Sequence, residues 1–206
     1  MMPPTIEHAA LRYLDQWLLH ELPLRNRLLC STGHERLAPL AEALCFFGVS
    51  RNLCVEFDVQ RGLPRFAPVL DALDAIEAFV TPDRHFTLVV ENLATSLGQA
   101  YGRTSLVSLA SKLLWLHYGD PFIIYDSRVR GALGCPANDY PTYASTWQAR
   151  YTSDAQTVAI ACAKLPAARL FLRGADRINE SDLAVLATEL WFQHRVFDIY
   201  LWCRSA

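Results

Sequence analysis

The sequence predicts an all-α protein with at most one short strand or hairpin. Three observations carry this: apolar residues recur at helical spacing along most of its 206 residues, glycine or proline closes those runs, and only one stretch alternates apolar with polar. A composition of 52% hydrophobic and 19% charged residues supports a packed core and excludes a disordered chain. No internal repeat, low-complexity segment or flexible linker is present. Residues 1–206 are therefore expected to form a single compact helical unit, or two intimately packed lobes with the site between them.

The first expected helix covers residues 5–22, where Ile6, Ala9, Ala10, Tyr13, Leu14, Trp17 and Leu18 share helical spacing and Thr5 is a candidate cap. Residues 35–47 predict a second, ending at Gly48, with Pro39 confined to its first turn. Leu53, Val55, Phe57 and Val59 alternate with polar residues and form the one strand-like stretch, which also suits an extended connection. A third helix is expected over 66–80, closed by Pro82, and a fourth over 84–100, leading into the turn Tyr101-Gly102. After the loop GCPANDYP, residues 142–164 and 180–203 predict two long helices, the last opened by Asn179-Glu180-Ser181-Asp182.

Residues 103–133 organise the rest. From Ser105 to Tyr118 the residues Leu106, Val107, Leu109, Ala110, Leu113, Leu114, Trp115 and Leu116 cover nearly the whole circumference of a helix, which predicts a buried one. Lys112 sits inside that run. It is notable because 17 of the 19 basic residues are arginines and only Lys112 and Lys164 are lysines. Gly119 and Pro121 stop the helix, FIIY extends, and Asp126 with Ser127 is placed to cap a further helix. Alone, Asp126 is accounted for as a cap and Lys112 as a snorkelling or ion-paired side chain. Together they suggest chemistry.

A helix carrying a lysine, a short turn, an apolar extended piece ending in Asp, and a helix opening on a hydroxyl and an arginine together resemble the helix-hairpin-helix DNA glycosylases. The similarity lies toward the 8-oxoguanine branch and bacterial proteins described as having that fold. It covers about residues 98–134, with Gly98 and Gly102 standing where the family has Leu-Pro-Gly-Val-Gly. Ser108 occupies the register in which an ungapped match to longer relatives puts the lysine. The resemblance implies excision of a modified, 8-oxoguanine-like purine: Lys112 attacks the sugar C1′, the base departs, and a Schiff base leads to strand cleavage at the abasic site. In that match Lys112 is the nucleophile and Asp126 the supporting carboxylate.

Elementary chemistry sets two opposing demands on such a pair. An attacking amine must be neutral, which an apolar shell of Leu109, Leu113 and Leu116 favours and a nearby carboxylate opposes. Asp126 therefore serves the positive, sugar-like transition state rather than the amine's deprotonation. An excised base also needs aromatic or apolar walls. Candidates are Trp115, Phe122, Tyr125, Gln193 and Phe197, with Trp191, Phe192 and Trp202 also on the last helix; each aromatic has an alternative reading as core. Gln193, His194, Arg195 and Asp198 add polar atoms that an all-core helix does not need. Gly102, Arg103, Ser105, Arg128 and Arg130 are the candidates for DNA contact, through a hairpin turn or through guanidinium groups that equally suit surface ion pairs.

Charge and cysteine usage frame these expectations. The formal net charge is −2, and residues 101–150 hold the one basic excess, 5 basic against 3 acidic side chains. Cys30, Cys45, Cys54, Cys135, Cys162 and Cys203 include no CxxC pair, so neither zinc nor an iron–sulfur cluster is indicated and no cofactor is expected. The pattern suits a reducing cytoplasm. No secretory signal or membrane span is indicated, and GxxxxGK[ST], HExxH and GxSxG motifs are absent. The expected partner is DNA. Two rivals stay open: a catalytically silent member of the same fold that binds DNA or protein, and a helical interaction module whose likeness is accidental.

Overall fold

The computed structural model describes residues 4–53, 63–76 and 86–205, and among them the chain is all-α, without a strand. The alternating stretch leaves a tight turn at Ser50–Leu53, and from Cys54 onward it lies outside the described residues. No helix is long and apolar enough to cross a membrane among the residues described. The chain divides into two compact units: a terminal unit, Met1–Leu22 with Asp126–Ala206, and a central unit, Pro23–Tyr125.

The terminal unit begins with α1 (Ile6–Gln16), whose Thr5 hydroxyl accepts from the His8 amide at 3.2 Å. The expected stop near residue 22 does not occur. Helical structure continues through a π turn, Trp17–Glu21, into α2 (Leu22–Cys30). In that turn the Leu22 amide donates five residues back, to the Trp17 carbonyl, and Pro23 follows, where a missing N–H is tolerated at the start of the next α segment.

The unit resumes with α7 (Ser127–Ala132), α8 (Tyr140–Ala163), the short α9 (Leu165–Ala168), α10 (Glu180–Thr188) and α11 (Leu190–Arg204). α8 starts earlier than the periodicity suggests, because Asp139 caps it by accepting from the Thr142 amide at 3.0 Å. The long helix expected over 180–203 is two helices. Glu189 adopts an extended conformation, ψ 127°, and its carbonyl accepts from the Phe192 and Gln193 amides at 3.1 Å, starting α11 afresh. A one-residue break is invisible to periodicity because apolar side chains continue on both sides of it. α1 packs on α8 and α11, and the core is Tyr13, Leu14, Tyr140, Tyr143, Trp147, Phe192, Val196 and Phe197. Each large apolar side chain buried in this way contributes about 1.5–3 kcal/mol relative to exposure.

In the central unit, α3 (Leu37–Phe46) follows a 3₁₀ turn at Gly33–Arg36 and holds Pro39 in its first turn. It ends at Gly48 as expected, with the Val49 amide on the Leu44 carbonyl at 2.9 Å. The helix expected over 66–80 is α4 (Ala67–Asp74), and residues 77–85 lie outside the described residues. α5 (Phe86–Ala100) packs on α4 and on α6 (Val107–Tyr118). Every residue of α6 from Leu109 to Leu116 is buried, Ser111 and Lys112 included.

Candidate active site

The turn between α5 and α6 is closed by backbone geometry. Gly102 has φ +63°, its amide donates to the Gln99 carbonyl at 3.3 Å, and the Arg103 amide donates to the Gly98 carbonyl at 2.7 Å. This is a Schellman closure with glycine at its left-handed position. Gly98 is required for a different reason: a Cβ there would lie 2.9 Å from the Arg103 carbonyl oxygen, so any side chain would push the returning strand of the turn away. The Leu106 amide then reaches back to the Ala94 carbonyl at 3.2 Å, docking the start of α6 on α5. Gly102 and Arg103 are exposed and Ser105 is half-buried at this turn.

One turn into α6, Lys112 is 8% exposed. Its amine donates to Ser108 Oγ at 3.0 Å and to the Phe47 carbonyl at 3.5 Å, the latter at the C-terminal end of α3. Ser108 precedes Lys112 by one helical turn, which puts the two side chains on one face. Gly119, at φ +80°, ends α6, and Phe122, Ile123, Ile124 and Tyr125 follow as a buried extended segment. Ser111 Oγ accepts from the Tyr125 amide at 2.9 Å, tying that segment to α6. Trp115, Phe122 and Tyr125, expected as walls for a base, are buried to 2%, 5% and 5% exposure; Phe122 packs edge-on to Phe86 with centroids 6.3 Å apart.

Lys112 belongs to the central unit and Asp126 opens the terminal one, so each takes its geometry from its own unit. Asp126 Oδ1 accepts from the Arg128 amide at 2.9 Å, capping α7 as its position foretells. Arg130 donates to the Cys135 carbonyl at 2.8 Å and fastens the end of α7, while Arg128 is exposed and lies over the Trp202 ring, 4.9 Å from its centroid.

Gln193 and Phe197 hold the terminal unit together at their positions. Gln193 Nε2 donates to the Ala187 carbonyl at 3.0 Å across the α10–α11 break, and its Oε1 accepts from the Tyr151 hydroxyl at 3.5 Å. Phe197 is fully buried, edge-on to Trp147 at 5.2 Å and to Tyr151 at 5.5 Å.

A buried ionic cluster in the terminal unit escaped the sequence reading in part. Arg195 donates to Glu21 Oε1 at 3.0 Å and forms a close pair with Asp198; the three side chains are 4%, 0% and 5% exposed. The Tyr13 hydroxyl donates to Glu21 Oε2 at 3.3 Å and Gln16 Nε2 to Oε1 at 2.7 Å. Gln16 and Glu21 are five residues apart, the spacing that a π turn brings together. Burial works against the Arg195 charge, but the fields of Glu21 and Asp198 outweigh it and hold the guanidinium above its ordinary range. Burial, then the Asp198 charge, raises the Tyr143 hydroxyl well above its ordinary value, with lesser contributions from Tyr140 and Asp126. Arg195 and Asp198 stood out in the sequence as polar residues on an apolar helix; Glu21 and Tyr13 gave no signal, because their partner is remote in the chain.

Among the described residues, no group of three or more His, Cys, Asp or Glu side chains is placed to hold a metal ion. No family model matches the chain, and comparison with curated proteins and with solved structures likewise finds no match.

Proposed function

We propose that this protein is a helix-hairpin-helix DNA glycosylase with abasic-site lyase activity, acting on a modified purine of the 8-oxoguanine kind through Lys112. One observation carries the reading. A lysine amine is buried in a helix that directly follows a Schellman-closed glycine turn, and it donates to the Ser108 hydroxyl and the Phe47 carbonyl. In this reading the exposed turn at Gly102 and Arg103, with Ser105, approaches a backbone phosphate. The Lys112 amine displaces the base at C1′, and opening of the sugar's C1′–O4′ bond then gives the Schiff base.

The test uses duplexes carrying 8-oxoguanine or an abasic site, incubated with the protein in the presence of borohydride. A covalent protein–DNA adduct is expected, and it disappears in Lys112→Gln. If no damaged duplex yields an adduct, the lyase reading falls.

A second reading is favoured by one contact, the bond from Lys112 to the Phe47 carbonyl. A cation at a helix C-terminus is stabilised by the helix dipole, by about 0.3–1 kcal/mol at a surface and up to about 2 in a partly buried setting. Lys112 then serves as the cap of α3 in a silent DNA- or protein-binding member of the fold. Salt-sensitive DNA binding without an adduct supports this alternative.

A further inference from the structure

The terminal unit carries a second basic feature, remote in sequence from the α5–α6 turn. Arg12, on α1, and Arg128, on α7, both lie over the indole of Trp202 near the end of α11, each guanidinium carbon 4.9 Å from the ring centroid. Both arginines are exposed and Trp202 is half-buried. Their guanidinium carbons are therefore no more than about 10 Å apart. Arg12 also donates to Cys203 Sγ at 3.7 Å. Neither arginine is paired with a carboxylate among the described residues, although acids stand nearby in sequence. Asp126 is engaged by the Arg128 backbone amide, Asp15 accepts from the Gly174 amide at 3.1 Å, and Asp198 is buried against Arg195.

Two like charges thus stand within about 10 Å of each other, and neither bonds a carboxylate among the described residues. Exposed arginines usually separate or pair with acids, whereas here a single aromatic ring holds both. Cation–π contact uses the flat face of a guanidinium and leaves its in-plane N–H groups facing outward, in the fork that matches phosphate oxygens.

We propose that Arg12 and Arg128, gathered by Trp202, form a clamp for the phosphodiester backbone of a nucleic acid strand. The inference rests on the DNA-binding half of the reading above and not on its covalent half, so Lys112 is left untouched in its test. Binding of a fluorescent, undamaged oligonucleotide to the full chain is measured by anisotropy over a salt series.

Wild-type binding weakens as salt rises, with a slope in log K against log salt of about 0.9 per phosphate contacted on duplex and about 0.7 on a single strand. Arg12→Gln with Arg128→Gln is expected to reduce that slope by about 1 to 2. Arg12→Lys with Arg128→Lys keeps the charges and is expected to retain most of the slope.

Because the Gln variant could be compromised in folding, the wild-type protein is also modified with phenylglyoxal, with and without oligonucleotide. Protection of Arg12 and Arg128 is expected. An unchanged slope, absent protection, or equal protection by inorganic phosphate at the same phosphate concentration overturns the clamp. A Lys112 adduct alongside any of these leaves the glycosylase reading standing.

Discussion

At the residue scale the molecule concentrates its polar investment in a few buried groups. Arg195 is the clearest, because it bonds both Glu21 and Asp198 in the core of the terminal unit. Arg195→Met keeps much of the volume but leaves two buried carboxylates without their cation, and is expected to lower unfolding free energy by about 3–5 kcal/mol, read by urea denaturation. A loss below about 1 kcal/mol would mean that the cluster is readily rehydrated. His117, at the end of α6, offers a pH test in the central unit. Its imidazole is held below its ordinary value by burial first and then by the Arg36 and Arg25 charges. A base with a depressed folded pKa binds its proton more readily when unfolded. Its contribution is thus fully present above about pH 6.5 and is lost as pH falls through the lower, folded value. His117→Gln should flatten the acid side of the stability profile below about pH 6.5, and an unchanged profile would remove His117 as a cause.

The element scale is where the sequence was most legible. The caps at Thr5, Asp126 and Asn179, the stop at Gly48 and the buried circumference of α6 all follow from local rules that act within one turn of chain. What could not be read has physical causes of longer range. The π turn at Trp17–Glu21 places Glu21 among partners on α1 and α11, and the break at Glu189 depends on Gln193 bonding across it. At the candidate site, the Lys112 position and the Asp126 cap were legible, while the Phe47 acceptor, 65 residues away in the chain, is brought to the amine only by tertiary folding. The turn before α6 gives this scale its prediction. Gly98→Ala sets a methyl group 2.9 Å from the Arg103 carbonyl oxygen and should destabilise the protein by about 1–3 kcal/mol, more than the roughly 1 kcal/mol expected from strain at Gly102→Ala. Thermal unfolding of both variants checks the order. If Gly98→Ala is the milder change, the close approach is not what demands glycine there.

For the molecule as a whole, an all-α chain of near-neutral charge resolves into two units that draw on different stretches of sequence. The central unit is continuous and carries the glycine turn with Lys112; the terminal unit combines both ends of the chain and carries Asp126, the buried Arg195 cluster and the Arg12–Trp202–Arg128 group. Overall charge therefore says little about partners, since the functional hypotheses rest on a few local cations. Their central claim is that one buried amine forms a bond with a sugar. The measurement that tests it most directly is peptide mapping by mass spectrometry of the borohydride-trapped complex with an abasic duplex. The account predicts that the nucleotide remnant lies on the peptide containing Lys112 and that Lys112→Gln yields no trapped species. A remnant on Lys164 or on the N-terminal amine, or a trapped yield unchanged in Lys112→Gln, would contradict it.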